Sequence, residues 1–122
     1  MYFDAIESGK YECFVNKDTR LPMMFMDDAI RATLELMDAP LESLNYHSNY
    51  NLSSMSFSAE ELENEINSHV KFDCTYKPDY RQDIADTWPI SINDDDARKD
   101  WGWEPKFDIS KMTEEMITSL RR

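Results

Sequence analysis

The stretch Trp88-Pro89-Ile90-Ser91-Ile92-Asn93-Asp94-Asp95-Asp96-Ala97-Arg98-Lys99-Asp100-Trp101-Gly102-Trp103 places three tryptophans around one sharply bounded helix. A tryptophan is costly to place unless its ring is covered and its N–H has a partner. The segment therefore belongs to a shaped site or a core, not to a solvated tail. Its punctuation is local. Pro89 forces Trp88 towards an extended backbone, Asn93 or Asp94 opens the helix, and Gly102 stops it between Trp101 and Trp103. Trp101 and Trp103 flank a helix stop rather than an open loop, so both read as core.

Working outward, Asp108 caps a last helix with Ile109, Met112, Met116, Ile117 and Leu120 inward, and Arg121 and Arg122 complement its C-terminal end. Upstream, Asp79 to Pro89 is irregular apart from one short helical turn. Phe72 to Tyr76 alternates as a half-buried strand closed by Pro78. Ser58-Ala59-Glu60-Glu61 is a capping box, with Phe57 and Leu62 placed for a hydrophobic staple and Leu62, Ile66 and Val70 on the buried face. Tyr50-Asn51-Leu52 reads as a short strand. Asp27 is expected to cap a strong helix on which Ala29, Ile30, Thr33, Leu34 and Met37 recur at helical spacing, ending at Pro40. Met23, Met24, Met26 and Met37 read as core filling. Tyr11 to Val15 is a short strand, and residues 1–9 read as the end of a helix stopped by Gly9. A start inside a helix suggests a cut chain. The architecture expected is a mixed α/β layer of three or four short strands and four or five helices, with no internal boundary across residues 1–122.

The balance of charge narrows the function. Net charge is −12, from 25 acidic against 13 basic residues, so a phosphate backbone is repelled and nucleic acid is not an expected partner. The acids fall in short runs, Asp27-Asp28, Glu60-Glu61, Asp94-Asp95-Asp96 and Glu114-Glu115. These read as helix starts and solvated faces, with a metal or a basic partner as the alternative. The Asp-rich run lacks the glycine and terminal Glu of a calcium loop. Cys13, Cys74, His47 and His69 follow no metal-ligand spacing, so no metal is expected. No apolar run approaches the roughly 20 residues that span a bilayer. The first residues carry no presequence pattern.

Chemistry is as informative by what is missing. With Gly9 and Gly102 as the only glycines, a G-x-G-x-x-G phosphate loop cannot be built. None of the six tyrosines has a lysine four residues on, the pair that takes the hydroxyl proton in short-chain dehydrogenases. No catalytic residue is expected, and the chain alone should be inert.

Several segments carry a resemblance: Gly9 to Phe14, Leu21 to Met26, Asp28 to Thr33, Tyr50 to Leu52, Met55 to Phe57, Pro78 to Gln82, Ile84 to Asp86, Trp88-Pro89, Asp100 to Trp103 and Met112 to Glu114. In this order they resemble the C-terminal part of short-chain-type, epimerase-like L-threonine 3-dehydrogenases. The resemblance implies a substrate domain whose Rossmann partner, which binds NAD, is the missing N-terminal part. It implies oxidation of L-threonine to L-2-amino-3-ketobutyrate by the complete enzyme, homodimers among family members, and a cytoplasmic or mitochondrial matrix setting. Leu21, Pro22, Met23 and Met24 would form a wall near the amino acid. Arg81 would pair with an anion in the cleft or brace its loop through Asp86. Trp88 would cover the small substrate or only pack. The competing reading is a standalone acidic binding module that pairs with a full-length dehydrogenase or another protein.

Overall fold

In the computed structural model, which describes residues 1–122, two small sheets and six α-helices are organised around two separate cores. The first core begins with α1 (Tyr2–Glu7), which ends where Gly9 takes a φ of 69° and turns the chain into β1 (Lys10–Cys13). β1 runs parallel to β4 (Asp73–Tyr76), with Lys10 opposite Asp73 and Cys13 opposite Tyr76. Between them in sequence, α3 (Ala59–His69) starts at the capping box that its residues specify. Ser58 Oγ accepts from Glu61 N at 3.2 Å, and Glu61 Oε2 accepts from Ser58 N at 3.0 Å. Ile66 then reaches the core with Ala5 and Phe72, flanked by Tyr2, Leu62 and Val70. The last helix, α6 (Ile109–Leu120), is capped by Asp108, whose carboxylate accepts from Lys111 N. It meets α1 through a 2.8 Å hydrogen bond between the Tyr2 and Thr113 hydroxyls.

The second core lies between α2 (Met26–Asp38) and α5 (Asp95–Trp101). Ala32, Ala97 and Trp103 are fully buried there, with Met24, Tyr50, Leu52 and Trp101 around them. Trp103 Nε1 donates to Ser53 O at 3.1 Å, which satisfies the one polar atom of the largest buried side chain. Gly102, at φ 73°, makes the left-handed stop that lets Trp103 fold back onto this core. The remaining elements are β2 (Arg20–Met23), antiparallel to β3 (Met55–Ser58), a 3-10 turn at Leu41–Ser43, and the five-residue α4 (Arg81–Ala85), which brings the helices to six.

Four details differ from the sequence reading. Asp27 does not cap α2; Phe25 takes that position without a side-chain bond, and Asp28 turns inward instead. Tyr50 to Leu52 forms no strand, because Tyr50 and Leu52 pack on Trp103 while Met55–Ser58 pairs with β2. Glu114 and Glu115 lie along exposed mid-helix positions of α6, where Thr113 is buried and Leu120 is not. Most consequential, Met26, Ile30, Leu34 and Met37 are exposed, as is Met23, so of the four core-filling methionines only Met24 packs inward.

Both sheets have only two strands. An isolated parallel pair such as β1–β4 is unusual, because parallel strands are normally buried within larger sheets. No helix is long and apolar enough to cross a membrane.

Candidate functional site

α4 and the loop after it form one wall of a polar cleft of about 330 Å³, lined by Asn16, Thr19, Arg20, Gln82, Asp86 and Trp88 among others. Gln82 ties this wall to the opposite one. Its Oε1 accepts from Asn16 N at 2.6 Å and from the Thr19 hydroxyl at 3.2 Å, while its Nε2 donates to Asp86 Oδ1 at 2.6 Å. Trp88 stands at the rim with 58% of its surface exposed and no hydrogen bond from its indole. Ile84, Ile90 and Tyr80 are exposed as well.

The residues singled out in the sequence do not all meet. Leu21 and Pro22 are half-buried on β2, opposite Phe57 and Ser56, and Met24 packs into the Trp103 core. Met23 is exposed at the end of β2. None of these lines the cleft beside Trp88. Arg81 does not brace Asp86, which bonds to Gln82; its guanidinium pairs with Asp79 at 2.6 Å and lies 3.5 Å from the centre of the Phe14 ring. Asp79 gains from that contact: hydrogen bonds from the Arg81 side chain and backbone hold its carboxyl below the usual range. Arg20 is likewise occupied, donating to Glu61 Oε1 at 2.5 Å and to Ser56 O at 2.7 Å. Glu61 is held low first by the Ser58 backbone N–H and then by Arg20.

Both arginines near the cleft thus have partners within the chain. The cleft can shape, orient and exclude water, but none of its lining side chains forms an acid–base pair of the kind a hydroxyl oxidation needs. Three residues here escaped the sequence reading: Arg20, Ser56 and Gln82. Their long-range bonds join positions 34 to 66 residues apart, and no local pattern signals such pairs.

The residues present do not fit an NAD pyrophosphate. Its usual seat is a glycine-rich turn at a helix N-terminus. Gly9 ends α1 and would bring a Cβ to 3.4 Å from Lys71 O, while Gly102 ends α5 beside open space. No three acidic, His or Cys side chains gather into a metal-binding group.

No family model matches the chain. Bovine mitochondrial L-threonine 3-dehydrogenase is 48% identical over 119 residues, which cover 96% of this chain and 32% of the bovine protein. An uncharacterized epimerase/dehydratase of Staphylococcus haemolyticus is 43% identical over 122 residues, covering 98% of this chain and 38% of its own. Among solved structures, a monomeric L-threonine 3-dehydrogenase from a metagenome, in its apo form, superimposes with a TM-score of 0.95 at 91% identity. That match covers 99% of this chain and 39% of the other.

Fold and relatives together give an α/β chain that matches the C-terminal portion of epimerase/dehydratase-like proteins. Within that class, the chain corresponds to the C-terminal portion of L-threonine 3-dehydrogenases, matched along nearly all of its own residues. It spans about a third of the length of the curated dehydrogenases it matches.

Proposed function

We propose that this chain is the substrate-covering, C-terminal part of an NAD-dependent L-threonine 3-dehydrogenase. The complete enzyme would oxidise the β-hydroxyl of L-threonine to give L-2-amino-3-ketobutyrate. The observation that carries this reading is the 91% identity to a threonine dehydrogenase structure across the whole chain. Two features of this fold support a missing partner domain. The apolar stripe of α2 has nothing over it, and both sheets have unpaired edges of the kind that invite another strand.

In this reading the NAD site and the proton-accepting pair lie in the N-terminal Rossmann portion, and NAD supplies the hydride acceptor. This chain's own residues bind and shield. Trp88 covers the amino acid and excludes water from the reacting carbon. Leu21 and Pro22 form a separate wall on β2, set by its pairing with β3 and outside the cleft beside Trp88, while Met24 supports it from the Trp103 core. Arg81, already held by Asp79, fixes the loop that leads into α4 and leaves a carboxylate-sized anion to other groups. The metagenomic relative is described as monomeric, which favours one polypeptide per active unit over the homodimer that the resemblance implies. The bovine and porcine relatives are mitochondrial, which supports a mitochondrial matrix setting, with the cytoplasm as the alternative.

The test joins this chain to the N-terminal portion of that metagenomic enzyme and follows NADH formation. The expected result is L-threonine-dependent reduction of NAD by the joined protein, and none by the 122-residue chain alone. A joined protein that folds and binds NAD but leaves L-threonine untouched would overturn the assignment.

A further inference from the structure

We propose that Ser56 is a positioning residue for Trp88, acting through the Ile90 carbonyl. The inference rests on the reading that Trp88 covers the substrate, and it names what holds that cover in place.

Residues 89–93 belong to no helix or strand. The hydrogen bonds around this segment are nearly all local: Trp88 N donates to Ala85 O at 3.1 Å, and Asn93 Oδ1 accepts from Asp95 N at 2.9 Å. At the far end Ser53 N donates to Asp94 Oδ2 at 3.1 Å, and within residues 89–93 one bond reaches further. The Ser56 hydroxyl donates to Ile90 O at 2.5 Å, across 34 positions of sequence.

Ser56 can serve as an anchor because it is itself fixed on three sides. It lies in β3 opposite Pro22, its carbonyl accepts from Arg20 Nη1 at 2.7 Å, and Arg20 in turn holds Glu61 of the α3 capping box. Two residues ahead of Trp88, Gln82 holds Asp86. Trp88 is therefore bracketed, with Asp86 tied to α4 through Gln82 and Ile90 tied to β3 through Ser56. Its indole makes no hydrogen bond, so the aim of the ring depends on the backbone at these two ties. A serine suits the place: its oxygen is short, and the strand sets its direction. The same strand carries the partners of Leu21 and Pro22, so one element aligns the wall and the cover together.

The test uses the complete dehydrogenase carrying Ser56→Ala or Ser56→Thr. It reads KM and kcat for L-threonine, KM for NAD, the melting temperature, and acrylamide quenching of Trp88 emission, the last by difference against Trp88→Phe. Loss of one partly exposed hydrogen bond predicts a rise in KM for L-threonine of about fivefold. Ser56→Ala should leave KM for NAD and the melting temperature unchanged and make Trp88 easier to quench. Ser56→Thr keeps the hydroxyl and should restore both values. Unchanged quenching with unchanged KM would overturn the proposal, and so would equal losses towards L-threonine and NAD. If quenching rises while KM for L-threonine stays put, the tether exists but does not serve the reaction, which also overturns it. A parent enzyme that does not oxidise L-threonine would sink the functional reading instead, and the quenching alone would then decide whether Ser56 holds Trp88.

Discussion

Helix α2 has two faces, and they are the reverse of what an amphipathic helix usually presents. At 3.6 residues per turn, Asp28 and Ala32 share one face, while Met26, Ile30 and Met37 share the opposite one. The face with an aspartate and an alanine is the buried one, at 1% and 0% exposure. The face with methionine, isoleucine and leucine is open, with Ile30 53% and Met37 76% exposed.

The buried face works because it is small and fully satisfied. Ala32 lets α5 come close enough for Ala97 and Trp103 to pack, and the Asp28 carboxylate collects Arg31 Nη2, Lys106 N and Phe107 N within 3.1 Å. The difference between the faces teaches that hydrophobic periodicity locates an apolar face without saying which polypeptide covers it. On α2 the apolar face meets nothing in this chain, in keeping with a chain that spans a third of its relatives.

The largest expected effect lies on the buried side. Trp103→Ala removes the largest buried side chain of this core and should cost about 3–5 kcal/mol of stability, read from urea or thermal unfolding. A loss near that of an exposed substitution would break the contrast, because it would mean that the Trp103 core does not hold the fold.

Asp28→Ala comes next, at about 3 kcal/mol, since it strands two backbone N–H groups and one guanidinium bond. Its titration adds a sign. Burial pushes the Asp28 carboxyl up, but hydrogen bonds from Arg31, Phe107 and Lys106 outweigh it and hold the group below its usual range. A carboxyl lowered in the folded state contributes stability above the unfolded value of about 3.9, and that contribution disappears as pH falls through the lower folded value. The gap between the parent and Asp28→Ala should therefore be full at pH 7 and narrow below about pH 4. A gap constant with pH would show that the carboxylate charge is not what the clamp uses.

These cases also mark what could be read in the sequence. The capping box at Ser58 and Glu61, the cap at Asp108 and the stop at Gly102 depend on neighbours within a turn, and each stands where the residues put it. The burial of Trp103 follows from the same local punctuation, whereas Trp101 is only half-buried and its indole N–H has no partner. The inward turn of Asp28 is not legible beside Asp27 because two of its three partners lie 78 and 79 residues away, on a segment with no regular structure. Tyr50 to Leu52 forms no strand for a related reason. Asp100 accepts from Asn45 N, Asn45 Nδ2 and the Tyr50 hydroxyl, pinning that loop to α5 before it can join a sheet. Around Trp88, the sequence located the tryptophan and its turn, but not Gln82 or Ser56, whose roles depend on which strands become neighbours.

The smallest effect on this chain is expected from its open face, and there the contrast is sharpest. Replacing Ile30 and Leu34 together by serine removes two exposed apolar groups from the middle of the stripe. In the 122-residue chain each change should move stability by less than about 0.5 kcal/mol, as for other exposed sites, and should reduce self-association in sedimentation runs. Joined to its N-terminal portion, the same pair should cost several times as much, because burying a Leu or Ile side chain is worth about 1.5–3 kcal/mol. An equally large loss in the chain alone would place the stripe inside this chain's own fold. An equally small one in both would leave the stripe uncovered in the complete protein, and with it would go the argument that α2 is built to meet a second domain.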